Sequence, residues 1–465
     1  MAESEYGARH FPGAWRWLLL LLAGGWSVFQ LLVVKVVDLN AIEVRCAHLA
    51  FGLILVFLCF PTFKRDGWLG RHLSRVPGLR ALGRTDSPPW IDLLLGVTAA
   101  VVAMYYVLDA EGVAARQGAP STRDLIAGGG LILLLLEAAR RALGPALPIV
   151  ALAFMGLSMV SESLGPVAWR EADLEKVIGK VALTIEGILG KPLDVSANTV
   201  FLYVLFGAML DKAGAGAWFI DLAFGLVGRM RGGAAKAAVL ASGFTGIISG
   251  SSIANVVTTG TFTIPLMVRA GYPPVKAGAV EVAASTNGQL MPPIMGAAAF
   301  IIAEYTGLPF HQVVIAAALP AVLSYLALFY ITHLEACRLN LAPVPKDQLP
   351  PVKATFMRGL PYLLPLGLLL YLLMIERISP QLAAFWAIMC LAGIMLIWRG
   401  ADALRGGDRL LPALGVVTRD FGAALVQGGR NMMGIAVAVA AAGIIVGIVT
   451  LGLGGKIVLL PWPET

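Results

Sequence analysis

Charge is scarce in this chain. Asp, Glu, Lys and Arg make up 14% of its 465 residues, while 58% are hydrophobic. A soluble domain carries about 25% charged residues, so this scarcity excludes a soluble protein and one with a single anchor. The sequence reads as an all-α polytopic membrane protein embedded in a lipid bilayer. The formal net charge of +7 is no sign of a nucleic-acid partner, because the basic residues gather in short loops between apolar runs. Cysteine is scarce as well: Cys46, Cys59, Cys337 and Cys390 lie far apart with no CxxC pair, which indicates neither metal nor disulfide chemistry. His48, His311 and His333 have no partner at ligand spacing and read as packing or interface residues. There is no Walker sequence, no nucleophile motif and no His/Cys cluster, so the chain does not read as an enzyme. A small-residue cleavage site behind the apolar residues 17–34 is also missing, which makes that segment a first transmembrane helix instead of a signal peptide.

Long uncharged runs are what the chain has in their place. Residues 17–34, 46–63, 93–108 and 125–136 predict four spans, the fourth extending through Glu137 to Arg140 and Arg141 at the cytoplasmic face. Between the second and third, residues 61–90 carry Lys64, Arg65, Arg71, Arg75, Arg80 and Arg84 against Asp66 and Asp86. That balance predicts a cytoplasmic loop and, two spans earlier, a cytoplasmic N-terminus. A fifth apolar stretch, 142–161, follows, so the chain divides into a four-helix module at 1–141 and a larger module at 142–465. Leu174, Val177, Ile178, Val181, Ile185, Ile188 and Leu189 recur at helical spacing among Glu175, Lys176, Lys180 and Glu186. They predict an amphipathic helix over 171–190, lying on the membrane plane or packed as an ordinary linker. The topology of 200–236 stays open. Residues 315–331, 359–375, 381–398 and 432–452 predict further spans.

The most informative run is 237–268, which is 32 residues without a charge. One pass needs about 20, and the midpoint reads Ser249-Gly250-Ser251-Ser252-Ile253-Ala254-Asn255. Small polar residues there break a helix at membrane depth, where irregular backbone is tolerated only if it lines a cavity or is buried in protein. Lys236 and Arg269 flank the run, which puts both ends on the cytoplasmic side. The pattern predicts a re-entrant hairpin with a small, polar tip. Residues 282–303 are uncharged too, but contain Asn287-Gly288-Gln289-Leu290-Met291-Pro292-Pro293. Consecutive prolines remove two backbone donors, which predicts two half-helices joined by an unwound stretch. Taken singly, Gly250-Ser251-Ser252 reads equally as a small-residue helix contact and Pro292-Pro293 as a structural kink. Their joint appearance favours a site where the two breaks meet near the bilayer midplane. A cation such as Na⁺ would be held there by free carbonyls, the hydroxyls of Ser251 and Ser252, and the side-chain oxygen of Asn255 or Asn287. An anionic substrate group would prefer the half-helix N-termini. Glu281 and Glu304 are expected only at the rims, which favours a neutral Na⁺ site over a proton relay.

These residues resemble a known family. Phe201-Leu202-Tyr203-Val204-Leu205-Phe206-Gly207-Ala208, the run from Ile248 to Gly260, Ile264-Pro265-Leu266-Met267, Ala270-Gly271-Tyr272-Pro273-Pro274 and the run from Gly288 to Phe300 are similar to the large membrane subunit of the TRAP (tripartite ATP-independent periplasmic) transporters. The resemblance is especially to the TAXI branch, in which a small and a large membrane subunit are fused (a 4TM/12TM permease). The resemblance extends over about 142–452; the preceding four helices sit where the fused small subunit belongs. It implies an elevator-type permease in the bacterial inner membrane, working with a periplasmic substrate-binding protein. Its expected substrate is a small organic anion such as a dicarboxylate, and Na⁺ is its coupling ion, with no other cofactor. Carried onto this chain, the Na⁺-site residues are Ser251, Ser252 and Asn255 in the hairpin, with Asn287, Gly288, Pro292 and Pro293 in the broken span. The family's second, inverted repeat has no counterpart after Met432. The chain is therefore expected to hold the first repeat and its connecting helices, the alternative being a truncated, transport-inactive remnant or scaffold.

Overall fold

Asn40 shows how these helices start: its side chain accepts from the N–H groups of Ile42 and Glu43, and Glu43 accepts in return from the Asn40 N–H at 2.9 Å. This reciprocal cap satisfies donors that a helix end leaves bare, so the second helix begins at Ala41, five residues before the uncharged run. The computed structural model describes residues 8–9, 11, 13–63, 83, 86–116, 118–159, 172–406 and 410–452, and no strand occurs among them. The basic positions 64–80 and the end of the chain from 453 lie outside the described residues.

The helices, in chain order, are α1 (Ala14–Lys35), α2 (Ala41–Cys59), α3 (Trp90–Leu108), α4 (Ala110–Ala115), α5 (Thr122–Ala142), α6 (Ala146–Met159), α7 (Leu174–Ala182) and α8 (Lys191–Val195). A π-helical turn, Ser196–Val200, leads into α9 (Phe201–Ala213), followed by α10 (Ala215–Val227), α11 (Gly233–Ser249), α12 (Ser252–Arg269) and α13 (Pro274–Asn287). Then come α14 (Ala297–Thr306), α15 (Phe310–Arg338), α16 (Val352–Met374), α17 (Pro380–Gly406) and α18 (Leu410–Gly452). Eight helical segments of the described residues are long and apolar enough to cross a membrane, which is the architecture of a polytopic membrane protein.

The chain forms two compact units. One is Met1–Asn198 with Gly429–Thr465, the other Thr199–Gly428. The core of the first is α2, whose Leu49, Leu53, Leu55, Val56 and Phe57 are fully buried. Asp92, in the first turn of α3, is buried with it between two guanidinium groups, those of Arg9 and Arg141. Arg141 also lies over the Phe57 ring, 4.8 Å from its centroid. The Arg140/Arg141 pair expected at an aqueous face is thus split: Arg140 bonds Glu137 at a half-exposed site, and Arg141 turns inward to Asp92. His48 packs as expected, between Gln30 (2.7 Å) and Ser196 (3.1 Å).

The amphipathic segment is helical only over Leu174–Ala182. The chain then turns back, and the Ile188 N–H donates to the Val181 carbonyl at 2.8 Å. Val177 and Val181 are fully buried, and Ile178 fits against Gly128 of α5. Part of the apolar side of α7 is thus covered by protein, while Leu174 at its start stays exposed.

In the second unit α10, α11, α12 and α13 pack in sequence, with α15 against α11 and α13. Phe300 of α14 stacks on Phe310 of α15 with centroids 4.2 Å apart, and Tyr203 of α9 tilts against Phe300 at 4.8 Å.

Candidate functional site

The uncharged run 237–268 folds as two helices, α11 and α12, joined by Gly250 and Ser251. Gly250 ends α11 in the left-handed region at φ 58°, the conformation in which glycine alone carries no Cβ penalty. A Cβ there would also lie 2.5 Å from the Met295 carbonyl oxygen, so the position demands glycine twice over. Ser251 is extended (φ −125°, ψ 122°), and its hydroxyl accepts from the Ala254 N–H at 3.4 Å, capping α12. This is the hairpin the sequence predicts, with its tip where the Gly-Ser motif stands.

The span with the two prolines is broken as predicted. Residue Asn287 ends α13, a 3₁₀ turn covers Gly288–Leu290, and α14 starts at Ala297. Prolines 292 and 293 bring no N–H to the segment, which is closed by the Gly296 N–H donating to the Gln289 carbonyl at 2.8 Å. Helix α13 starts at Pro274, eight residues ahead of the uncharged run, because a proline suits the first turn of a helix and Lys276 is held by Glu335.

Tip and break meet. Gln289 Nε2 donates to Ser252 Oγ at 2.9 Å. Behind that bond the backbones touch at Gly246 and Gly288, where a Cβ on Gly246 would come within 2.5 Å of the Gly288 Cα. Asn255, fully buried, donates from Nδ2 to the Ser242 carbonyl (2.9 Å) and hydroxyl (3.0 Å), and its Oδ1 accepts from Thr245 Oγ1 at 2.5 Å. Asn255 therefore ties α12 to α11 just behind the tip. Ser251, Ser252 and Pro292 are half-buried, and Gly288 and Pro293 are buried. Asn287 is half-buried and makes no side-chain hydrogen bond to a described residue. Of the residues singled out from sequence, Ser252, Asn255 and Gly288 are drawn directly into the contact, while Asn287 stays apart.

Glu281 departs from expectation. Sequence reading puts it at the rim; the structure buries it completely in the middle of the helix bundle. Its Oε2 accepts from Thr263 Oγ1 at 2.5 Å, and its Oε1 accepts from Thr259 and from Ser285 Oγ at 3.2 Å. It forms no ion pair with a described residue. Ser285 Oγ stands 3.1 Å from Ser242 Oγ, so hydroxyls and the Asn255 amide run unbroken from Glu281 to the back of the tip. Glu304, in contrast, is exposed. The signal for this network was present as two i,i+4 pairs, Thr259/Thr263 and Glu281/Ser285, each placing polar groups on one helix face.

Comparison with known proteins bears on this arrangement. The family model for the tripartite ATP-independent periplasmic transporter, DctM component, matches residues 131–458. The chain is 28% identical over 212 residues to YgiK of Salmonella typhimurium, a match covering 46% of this chain and 48% of that protein. It is 34% identical over 147 residues to the C4-dicarboxylate TRAP transporter large permease protein DctM of Pseudomonas aeruginosa, covering 32% and 34%. With the 2,3-diketo-L-gulonate TRAP transporter large permease protein YiaN of Escherichia coli it shares 25% identity over 158 residues, covering 34% and 37%. The matched region spans between about a third and a half of the length of these relatives.

Proposed function

Because this chain belongs to the DctM-component family of tripartite ATP-independent periplasmic transporters, a family of transporter permeases and not of enzymes, we propose that it is the membrane permease part of a secondary transporter for a small organic anion. The anion carries a carboxylate and is handed over by a periplasmic substrate-binding protein; a Na⁺ gradient drives its uptake across the bacterial inner membrane. Relatives named for C4-dicarboxylate and 2,3-diketo-L-gulonate support the carboxylate class. Residues 1–141 act as the fused small-subunit module, with the N-terminus cytoplasmic.

The observation that carries this reading is the contact of two broken elements through Ser252 and Gln289. Around it stand neutral oxygens: the Ser252 and Ser251 hydroxyls, the second lone pair of Asn255 Oδ1, and the Met295 carbonyl that faces Gly250. Neutral carbonyl and hydroxyl oxygens at helix breaks are the donors that suit Na⁺, and the half-helix N-termini of α12 and α14 suit a carboxylate. Pro292 and Pro293 keep the break open, and Asn287, which stands apart from the contact at the end of α13, would join the Na⁺ set only by turning its side chain toward the tip.

Uptake into proteoliposomes, with a periplasmic binding protein and a panel of dicarboxylates, tests the proposal. Accumulation is expected only with an inward Na⁺ gradient, and Ser252→Ala or Asn255→Ala is expected to weaken its Na⁺ dependence. Uptake indifferent to Na⁺, or unchanged in both variants, would overturn the site.

A further inference from the structure

Glu281 is a carboxyl group surrounded by hydroxyls that each have a second place to point. Thr263 Oγ1 lies 2.5 Å from Glu281 Oε2 and 2.9 Å from the Thr259 carbonyl oxygen. Thr259 Oγ1 reaches Glu281 Oε1 and, at 2.8 Å, the Asn255 carbonyl oxygen. Ser285 Oγ lies between Glu281 Oε1 (3.2 Å) and Ser242 Oγ (3.1 Å). A hydroxyl has one proton to donate and two lone pairs with which to accept. When Glu281 is a carboxylate, all three hydroxyls donate to it and satisfy it. When it is a carboxylic acid, its own O–H donates to one threonine hydroxyl, and that hydroxyl turns its proton to the backbone carbonyl already within reach. Both charge states are satisfied by rotating O–H bonds, with no heavy atom displaced.

The surrounding elements bring no fixed countercharge to hold one state. On α12 the only charged residue is Arg269, its exposed last residue; on α11 it is Lys236, bonded to His333 at the other end of the helix from the tip. Lys276 of α13 is paired with Glu335 of α15, and Tyr325 of α15 spends its hydroxyl on the Ala284 carbonyl at 2.8 Å.

We propose that Glu281 is a proton-binding site. One H⁺ adds to a carboxylate oxygen to give the neutral acid and leaves from the same oxygen, while Thr259 and Thr263 turn between the carboxyl group and the Asn255 and Thr259 carbonyls. Through Ser285 and Ser242 the same hydrogen bonds reach the Asn255 amide, so the protonation state of Glu281 and the clasp behind the hairpin tip share donors. This goes beyond Na⁺-driven uptake and does not depend on transport by this chain.

Infrared difference spectra of the full chain in lipid nanodiscs, titrated through the neutral pH range, test it. Potassium replaces sodium and no substrate is added, so the result is independent of the uptake reading. A deuterium-sensitive carboxylic-acid C=O band is expected to appear and vanish reversibly, to lose one carboxyl's intensity in Glu281→Gln, and to shift in frequency in Glu281→Asp. Identical titrating bands in the wild type and in Glu281→Gln would overturn the proposal. If Glu281→Gln does not fold, Glu281→Asp decides alone: a displaced band supports the site and an unmoved one overturns it.

Discussion

Asp92 and Glu281 are both completely buried carboxylates, and their surroundings are opposite in kind. Asp92, in the first unit, lies between the guanidinium groups of Arg9 and Arg141, with Arg141 Nη1 at 2.7 Å. Glu281, in the second, has three hydroxyls and, among the described residues, no cation. A guanidinium cannot give up its charge in a protein, so Asp92 has two permanent cations as its partners. Hydroxyls are both donors and acceptors and accommodate either form of Glu281. Asp92 is thus a structural charge, and Glu281 a group whose charge is free to change. The fixed charge belongs to the unit built around α2, and the changeable one to the unit that carries the two broken elements.

The largest effect follows from the fixed charge. Asp92→Asn keeps the size of the side chain but leaves two buried guanidinium groups without their common anion. Breaking a buried pair by removing one partner costs about 3–5 kcal/mol, and Arg9 also donates to the Phe57 and Leu58 carbonyls at 3.0 and 2.8 Å, so it has no easy way out. Thermal unfolding in detergent, followed by circular dichroism, is expected to show a loss of that order. A loss near zero would mean that the cluster is solvated, and the contrast with Glu281 would fall.

An intermediate effect is expected where tip and break touch. In Gly246→Val the new side chain meets the Gly288 backbone, which cannot step aside as the end of a flexible side chain would. Overpacking of this kind costs about 1–3 kcal/mol, and uptake should fall with it because Gln289 is pushed away from Ser252. Gln289→Ala removes that one bond from an exposed donor, at about 0.5–1.5 kcal/mol. Equal unfolding midpoints for Gly246→Val and wild type would show that the two backbones are farther apart than described.

Local chemistry was legible in the sequence and distant burial was not. Gly250-Ser251 and Pro292-Pro293 announce their breaks because a left-handed glycine, a serine cap and missing N–H groups act on the backbone where they stand. The spacing of Val177, Ile178 and Val181 announces an apolar helix side, but not that Gly128, some fifty positions earlier, leaves room for it. Arg141 beside Arg140 reads as an aqueous end until α3 brings Asp92 to it. Glu281 reads as a rim residue because a charge bounds an apolar run; its burial depends on Thr259 and Thr263, which look like ordinary members of another run. Of the site, the tip and the break were readable, and the polar network joining α12 to α13 was not.

The smallest effect is expected from Glu281→Gln, and it tests the comparison most sharply. Glutamine is neutral and nearly the same shape. Its Oε1 keeps the hydrogen bonds from Thr259 and Ser285, and its Nε2 donates to Thr263 Oγ1, which turns its own proton to the Thr259 carbonyl at 2.9 Å. Each hydroxyl then still has a partner and only the second N–H of Nε2 lacks one, so the cost is expected at the low end of that for a buried unpaired donor, about 1 kcal/mol. The same detergent unfolding measurement applied to Asp92→Asn and Glu281→Gln is therefore expected to separate them by several-fold. A loss in Glu281→Gln as large as that in Asp92→Asn would mean that the hydroxyl cluster needs a permanent anion. Glu281 would then be a second fixed charge, with hydroxyls in the role the arginines play around Asp92.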